Sequence, residues 1–342
     1  MLSFVPRAVS APRAARAMST IVRSELPPVL RRAMLYGLLV RTAQLTSVPG
    51  SNPRMIEKSL SSPADSVAYD LEDAVAPSAK PEARRLVAEL LDSDRRPAGE
   101  VVARINAVGT GFEVDDLDTI LRARHVQAIA LPKTNDPEHL EWVVSRIQAL
   151  CPPDKQAGRE NAVRIIGMIE SAEAMLRIHE IAAAARGHLD ALLFAAEDYC
   201  ADVGIVRTPG RSELLYPRAK LVTTARAFGL GSLDLVCVNF KDPEALRIES
   251  EEGMRLGFTG KQAIHPAQID VIQAAYAPSE AAIRKAARVK FSFELHDSKG
   301  TGAYALDGVM IDAPVYKQAQ NTLRLAQAAG LPIPNITEKD IS

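Results

Sequence analysis

The sequence predicts an α/β protein built as a (β/α)8 barrel, in which eight parallel strands alternate with helices. From Arg31 onward, short β-rich runs alternate with segments whose apolar residues recur at i, i+3, i+4 and i+7, the period of a helix. Eight such pairs of roughly 30 residues fill the roughly 250 residues that a barrel needs. No G-x-G-x-x-G follows the first strand and no G-x-x-x-x-G-K-[ST] occurs, which disfavours a doubly wound open sheet.

The predicted elements follow in order along residues 30–277, and each strand is a short run rich in apolar residues. The eight strands are 31–36, 66–71, 100–105, 127–131, 163–169, 190–195, 233–238 and 258–264. Residues 278–342 lie beyond the barrel and are predicted to form a C-terminal helical arm or lid. Helices from Pro278 to about Leu295 and from about Val315 to Ala329 flank a glycine-containing loop there. A surface tail is the alternative.

Composition excludes several classes of protein. The chain of 342 residues is 47% apolar and 24% charged, with a net charge of -1, as expected for a globular protein with a large core. Without a basic field, nucleic acid is not an expected partner. The apolar runs are far shorter than the ~20 residues that span a bilayer, so no membrane partner is expected either. Three widely spaced cysteines, Cys151, Cys200 and Cys237, indicate a reducing compartment rather than a disulfide framework.

Residues 1–25 have the composition of a mitochondrial transit peptide. Four arginines, Arg7, Arg13, Arg16 and Arg23, precede the first acidic residue, Glu25. Such a segment must form a positively charged amphipathic helix for import. We therefore expect a protein of the mitochondrial matrix whose first 25 residues lie outside the fold. A disordered basic tail is the alternative.

Polar residues follow nearly every predicted strand, and barrel enzymes carry their chemistry at these carboxyl ends. In chain order they are Asp70, Glu72 and Asp73; Arg104 and Asn106; Lys133; Glu170; Glu197 and Asp198; Asn239; and His265. This concentration predicts an active site at that face of the barrel.

Glu170 and Asp198 form the predicted metal pair. They follow the adjacent fifth and sixth strands, so their carboxylates can converge, and two carboxylates with water or substrate oxygens commonly hold Mg2+. Glu197 competes with Asp198 for this role. Neighbouring strand residues point to opposite sides, so only one of the two should face the site. The pattern does not decide between them.

Arg104 needs a carboxylate partner, because a guanidinium at the end of a buried strand cannot lose its charge. The partner can come from a ligand or from the protein, where Asp70 and Glu72 are the candidates. Together with Asp73 these two form an acidic turn that could support both the metal and the arginine. Lys133 and His265 are each as compatible with structural hydrogen bonding as with ligand contact.

Several motifs together resemble the citrate lyase β-subunit-like branch of the HpcH/HpaI aldolase superfamily, most closely its mitochondrial members. They include YDLEDAVAPSAKPEAR, VARINAVGTGFEVDDL, IGMIESAEAM, FAAEDYCADVG, GFTGKQAIHPAQI and GVMIDAPVYKQAQ. The resemblance spans about residues 30–330. It implies a barrel of the pyruvate/phosphoenolpyruvate type, usually a homotrimer, that uses Mg2+ to cleave a 3-hydroxyacyl-CoA thioester such as citramalyl-CoA into pyruvate and acetyl-CoA.

The resemblance also implies roles for individual residues. Glu170 and Asp198 match Mg2+ ligands, which favours Asp198 over Glu197, and Glu170 and Arg104 match positions near the reacting part of the substrate. Asp312 matches a catalytic aspartate delivered by the arm of a neighbouring subunit. The positions that match acyl-CoA contacts are Tyr36, Arg54, Lys58, Ile264 and His265.

One segment departs from the family pattern, in which Tyr36 adjoins Val48 directly. Eleven residues, Gly37 to Ser47, separate them in this chain. They are either a genuine loop over the barrel mouth, since lengthening a surface loop costs little, or the product of an alternative or misread exon boundary. Because the insertion interrupts a CoA-contacting turn, an impaired acyl-CoA-binding protein is one alternative function. A malyl-CoA lyase, a malate synthase-like enzyme and a thioesterase are the others.

Overall fold

Eight parallel strands form the barrel in the computed structural model, which describes residues 29–35, 48–297 and 304–341. They are β1 (Ala33–Leu35), β2 (Ser66–Asp70), β3 (Glu100–Arg104), β4 (Ala128–Leu131), β5 (Arg164–Ile169), β6 (Leu189–Phe194), β7 (Gly231–Asp234) and β8 (Gly260–Ala263). β1 pairs in parallel with β2 through Met34 and Ser66 and with β8 through Ala33 and Lys261. The sheet is therefore closed, and the predicted (β/α)8 barrel is confirmed.

Helices cover the outside of the barrel. They are α1 (Pro53–Ser59), α2 (Lys80–Asp92), α3 (Glu113–Ile120), α4 (Pro137–Leu150), α5 (Ala172–Ala183), α6 (Ala196–Val203), α7 (Leu215–Phe228), α8 (Pro243–Leu256) and α9 (Ile269–Tyr276). Capping residues in the sequence determine where α4, α5 and α8 begin. Asp136, Ser171 and Asp242 each cap a helix by accepting a backbone N–H, which favours a helix start at that residue. No helix of the described residues is long and apolar enough to cross a membrane.

The amino-terminal end of the barrel is closed by buried charges. Arg31 donates to Glu100 at 2.6 and 2.7 Å and to Asp190 at 2.5 Å, and Arg164 donates to Asp190 at 2.8 Å. Buried charges need such partners, because desolvation is otherwise unfavourable. This cluster ties β1, β3, β5 and β6 together at the end opposite the predicted site.

The seventh strand is the one whose predicted position was wrong. It was expected at 233–238 but runs from Gly231 to Asp234. The ladder stops there because side chains, rather than a neighbouring strand, bond to the backbone groups. Asp234 Oδ1 accepts the N–H of Leu235 at 2.9 Å, and the side chain of Gln262 donates to the Asp234 carbonyl at 3.1 Å. Residues 235–237 stay buried, which explains why their apolar pattern resembled a strand.

The two-residue segment Val48–Pro49 continues the first strand. Leu35 lies opposite Val67 in the ladder with β2, and Val48 lies opposite Tyr69. Val48 therefore takes the position that the residue directly after Tyr36 would occupy in an uninterrupted strand. Gly50, which follows this segment, lies against the end of β2. Its N–H donates to the Asp70 carbonyl at 2.8 Å, and a Cβ at this position would collide with the same carbonyl oxygen. Tyr36 and the insertion 37–47 lie outside the described residues, as does the predicted transit peptide.

Deleting residues 37–47 is expected to leave the barrel folded, because Val48 already has the register of a continuous strand. Shortening the loop should raise the free energy of unfolding by on the order of 1–2 kcal/mol through the lower entropy of closure. Urea denaturation measures this, and titration with acetyl-CoA measures ligand binding. A sharp gain in affinity would favour the exon-boundary interpretation. Loss of folding or of activity would show that the insertion is a genuine functional loop.

The carboxyl-terminal arm has its own small core. It consists of α10 (Glu280–Asp297), a hairpin of β9 (Tyr304–Leu306) and β10 (Val309–Ile311), and α11 (Ala313–Ala328). Buried residues from α10, the hairpin and α11 form one cluster, separate from the clusters of the barrel. The division of the chain into a barrel of 30–277 and an arm of 278–342 stays a prediction.

The hairpin corrects the expectation of a loop between the two arm helices. Asp307 and Gly308 form its two-residue turn with φ of 52° and 76°. A two-residue turn with both φ values positive matches the twist of paired strands, and Asp-Gly is a favoured sequence for it. The Asp-Gly pair between apolar residues was therefore the signal that the sequence analysis missed.

Candidate active site

Arg104 is held by a rigid carboxylate at the mouth of the barrel. Its Nε and one terminal nitrogen donate to the two oxygens of Asp70, each at 2.7 Å. The same oxygens accept the backbone N–H groups of Glu72 and Ala74 at 2.9 and 2.8 Å. A bidentate pair fixes the plane of the guanidinium as well as its position. Asp70 is thus the protein partner that Arg104 required.

Glu72 connects this arginine to Lys133. It lies 3.1 Å from a terminal nitrogen of Arg104 and 2.6 Å from the ammonium of Lys133. Burial raises the pKa of Glu72, and the two cations act in the opposite direction. The acidic turn 70–73 therefore holds the side chains of Arg104 and Lys133 in place. Support of Arg104 is one of the two roles that the sequence predicted for this turn.

Lys80 was not singled out from the sequence, although it holds the acidic turn in place. Its ammonium donates to the carbonyls of Leu71 and Glu72 at 2.8 and 3.0 Å and to the side chain of Asn106 at 2.6 Å. Burial lowers the pKa of Lys80. The available signal was its place on the buried face of α2, one turn before Arg84. A lysine on an apolar face must be satisfied by a specific set of acceptors.

Glu170 lies at the end of β5 and is buried, and its Oε1 accepts the backbone N–H of Lys133 at 2.6 Å. Burial, with Asp198 and Glu72 nearby, raises the pKa of Glu170 to about 7. Asp198 sits in the first turn of α6 and is exposed. Partial removal from water and the neighbouring Asp73 raise its pKa as well. Asp198 thus lies near enough to raise the pKa of Glu170, and their role as a metal pair stays a prediction.

The structure separates Glu197 from Asp198. Glu197 accepts a hydrogen bond from Arg207 at 2.5 Å, and Arg207 also donates to the carbonyl of Val236 at 2.9 Å. Both acids belong to the first turn of α6 rather than to a strand, so the alternation of strand side chains does not apply to them. Arg207 thus engages Glu197, whereas Asp198 is the acid that raises the pKa of Glu170.

The carboxylate pair suits a divalent cation. Loss of surrounding water and neighbouring acids raise the pKa of both Glu170 and Asp198, so a nearby cation would stabilise their charged forms. Within residues 29–35, 48–297 and 304–341, no group of three acidic, histidine or cysteine side chains could hold a metal alone. The remaining ligands would be oxygens of water or substrate, which Mg2+ retains more readily than other ions.

The raised pKa of Glu170 makes metal binding pH-dependent. A proton and a cation compete for the same carboxylate, so the affinity for Mg2+ should be constant above about pH 8. It should fall by up to about tenfold per unit below pH 7. Calorimetric titration with Mg2+ between pH 5.5 and 8.5 measures this. An affinity independent of pH over that range would contradict the assignment of Glu170 as a ligand.

Two other predicted contact regions lie near the same face of the barrel. Arg54 and Lys58 are exposed and one turn apart on α1, whose start is capped by Asn52. Ile264 is buried directly after β8, and His265 follows it. The His265 ring stacks on Phe240 with centroids 5.0 Å apart. Phe240 is a neighbour that the sequence analysis did not identify.

Asp312 lies in the arm rather than among the strand-end residues. Its Oδ1 accepts the N–H of Val315 at 3.1 Å and so caps α11. Among the strand-end residues, Lys133 and Glu72 link Glu170 to Arg104, and Asp198 lies near Glu170. The role of Asp312 at this site stays a prediction.

The closed barrel carries acids and a fixed arginine at the carboxyl ends of its strands, the arrangement expected of a barrel enzyme. Comparison with known proteins gives its class as a carbon–carbon lyase. The chain belongs to the HpcH/HpaI aldolase/citrate lyase family, whose model matches residues 45–266.

Three relatives show how far the similarity extends. The mitochondrial citramalyl-CoA lyase of Homo sapiens is 36% identical over 305 residues, which cover 86% of this chain and 85% of that protein. The (3S)-malyl-CoA thioesterase of Cereibacter sphaeroides is 34% identical and covers 82% of this chain and 93% of that protein. The CitE protein of Mycobacterium tuberculosis, solved with magnesium, acetoacetate and coenzyme A, has a TM-score of 0.65 and 29% identity. That comparison covers 88% of this chain and 98% of the other. Mg2+ is thus the metal of this family.

Proposed function

We propose that this chain cleaves citramalyl-CoA, or a closely related 3-hydroxyacyl-CoA, into pyruvate and acetyl-CoA in the mitochondrial matrix. The observation that carries the proposal is the link from Glu170 through Lys133 and Glu72 to Arg104 at one end of the barrel, with Asp198 near Glu170. The likeness to a mitochondrial citramalyl-CoA lyase along most of the chain supports the choice of substrate.

The reaction breaks the bond between the hydroxyl-bearing carbon and the carbon next to the thioester. The hydroxyl proton leaves as the ketone forms, the electron pair of the broken bond passes to the thioester as an enolate, and a proton then adds to the enolate carbon. Mg2+ bound to Glu170 and Asp198 would stabilise negative charge on the oxygens of the substrate. Arg104, held by Asp70, would face the thioester oxygen where charge develops.

The coenzyme A moiety would bind at the edge formed by α1. Arg54 and Lys58 are exposed on the same face of this helix, and cations of this kind suit phosphate groups. The family resemblance adds Tyr36 to this set and implies that Ile264 and His265 form a substrate-contacting pair. Charge-reversing substitutions test it: Arg54→Glu with Lys58→Glu should raise KM for the acyl-CoA at least about tenfold and leave Mg2+ affinity unchanged. An unchanged KM would remove α1 from the site.

Asp312 would complete the site from the arm of a neighbouring subunit in a homotrimer, as the acid that protonates the enolate carbon. Mixing inactive Asp312→Asn and Arg104→Ala subunits in equal amounts tests this geometry. If the arm acts across an interface, about a quarter of the sites in randomly mixed trimers will combine an intact barrel with an intact arm. Partial activity is therefore expected. Mixed trimers without any activity would show that the arm does not act on its neighbour.

Product analysis tests the proposed reaction. Purified protein is incubated with Mg2+ and citramalyl-CoA, and pyruvate and free thiol are followed separately. Pyruvate without thiol is the expected result. Thiol without pyruvate would instead identify a thioesterase, the second candidate, which the relative from Cereibacter sphaeroides favours. Saturable binding without either product would identify an acyl-CoA-binding protein. Parallel assays with malyl-CoA, and with glyoxylate plus acetyl-CoA, examine the malyl-CoA lyase and malate synthase-like alternatives.

The proposed location rests on the arginine-rich residues 1–25 and on the mitochondrial relatives. Import into isolated mitochondria tests it. The full chain should become protected from added protease, and a chain lacking residues 1–25 should not.

A further inference from the structure

Lys133 adopts a backbone conformation that is unfavourable for its residue type. Its φ is 47°, in the left-handed region that residues with a Cβ seldom enter. Such conformations persist only where the surrounding structure imposes them, and they concentrate at functional sites. Lys133 lies two residues beyond the end of β4, at the face of the barrel that carries Glu170 and Asp198.

The turn that contains Lys133 is bonded to both sides of Glu170. The N–H of Lys133 donates to Glu170 Oε1 at 2.6 Å, and the N–H of Thr134 donates to the carbonyl of Met168 at 3.2 Å. The side chain of Asn135 accepts a hydrogen bond from the hydroxyl of Ser171 at 2.7 Å. Three consecutive residues thus bind the segment that ends β5 and carries Glu170.

The left-handed conformation lets one residue serve two carboxylates. The backbone N–H of Lys133 meets Glu170, and its ammonium meets Glu72 at 2.6 Å. A helical or extended φ at Lys133 would change the angle between its N–H and its side chain, so the two contacts could not both be kept. The hydrogen bond engages one oxygen of Glu170 and so fixes the rotation of the carboxylate.

We propose that Lys133 is a positioning residue whose left-handed backbone, and not its ammonium group, holds Glu170 in the orientation that receives the metal. This inference rests on the proposed role of Glu170 as a Mg2+ ligand. It assigns the turn 133–135 a function in metal affinity that precedes substrate binding and can be measured without substrate.

Two substitutions separate the backbone from the side chain. Lys133→Gly removes the ammonium and favours a positive φ, whereas Lys133→Val removes the ammonium and disfavours it. In the metal-free protein the valine variant would relax out of the left-handed region and withdraw its N–H from Glu170, so metal binding would have to restore the turn. Mn2+, bound in place of Mg2+ and followed by electron paramagnetic resonance at pH 8, should bind the glycine variant within about threefold of wild type. It should bind the valine variant at least about tenfold more weakly.

A matched control is available at Ala185, which has φ of 50° just before β6, at the opposite end of the barrel. Ala185→Val imposes the same backbone penalty there and should leave Mn2+ affinity unchanged. Circular dichroism verifies folding. If the valine variant does not fold, Lys133→Thr replaces it, since threonine is also β-branched, and a weakening of about fivefold is expected.

The outcomes distinguish this inference from the proposed function. Equal weakening in the glycine and valine variants would assign the effect to the ammonium, and wild-type affinity in the valine variant would remove the backbone from metal binding. Either result overturns the inference alone. If wild-type protein binds no Mn2+, or if Glu170→Gln does not reduce binding, the metal site itself is refuted.

Discussion

Replacing Arg104 by alanine is expected to lower kcat/KM for citramalyl-CoA by at least about 100-fold. The guanidinium is buried and held in one orientation by Asp70, with Glu72 at its other side. Such a group can stabilise charge in the transition state without reorganising when that charge appears. The loss should therefore fall mainly on kcat rather than on KM.

The same substitution also leaves Asp70 buried without its cation, which commonly costs about 3–5 kcal/mol of stability. Arg164 provides a control for loss of a buried arginine, since its side chain is also 10% exposed and pairs with a buried aspartate, Asp190, at the other end of the barrel. Arg164→Ala should lower the stability by less, because Asp190 keeps Arg31 as a partner, and should leave kcat unchanged. If Arg104→Ala loses less than tenfold in kcat/KM, or if both variants lose activity equally, Arg104 has only a structural role.

Glu170→Gln should abolish Mg2+-dependent turnover and at the same time stabilise the metal-free protein at pH 8. Burial raises the pKa of Glu170 to about 7 from an ordinary value of 4.5. The folded state therefore binds more protons than the unfolded state between these values, and its stability falls as the pH rises from about 5 to above 7. Glutamine keeps the shape of the side chain and removes this dependence.

Urea denaturation in the presence of a chelator measures the effect. The variant and wild type should be equally stable near pH 4, and the variant should be more stable at pH 8 by on the order of 1–3 kcal/mol. Asp198→Asn is the companion variant: it should also lose turnover, but gain less stability because Asp198 is exposed. A Glu170→Gln protein that is less stable at pH 8, or that retains Mg2+-dependent activity, would contradict the assignment.

The barrel could be predicted from the sequence because most strand interiors are apolar, β8 with Lys261 and Gln262 being an exception, and most helices have a buried stripe. The seventh strand was displaced because hydrogen bonds from the side chains of Asp234 and Gln262 end the ladder early. Such bonds depend on residues distant in sequence, so an apolar run cannot reveal them. The arm hairpin was missed for a different reason, since Asp307 and Gly308 form a recognisable turn that was assigned to a loop.

The grouping of polar residues at one face could be predicted because strand ends in a barrel meet there, and their roles stay predictions. The strand pattern did not decide between Glu197 and Asp198, whereas the family resemblance favoured Asp198; the hydrogen bond from Arg207 to Glu197 joins residues that no local pattern relates. The left-handed backbone of Lys133 could not be predicted either. That conformation is imposed by bonds to Glu170 and Met168, more than 30 residues further along the chain, and lysine has no intrinsic preference for it.

Closure of the barrel also determines when the chain can become stable during biosynthesis. β1 pairs with β2, which is near in sequence, and with β8, which ends the barrel. Arg31 is buried against a carboxylate 159 residues further on. Until those later residues leave the ribosome, one edge of β1 stays open and Arg31 lacks that partner, a state that favours aggregation. Nascent chains that end before β8 are therefore expected to need chaperones, and the first half of the barrel should not fold as an independent unit.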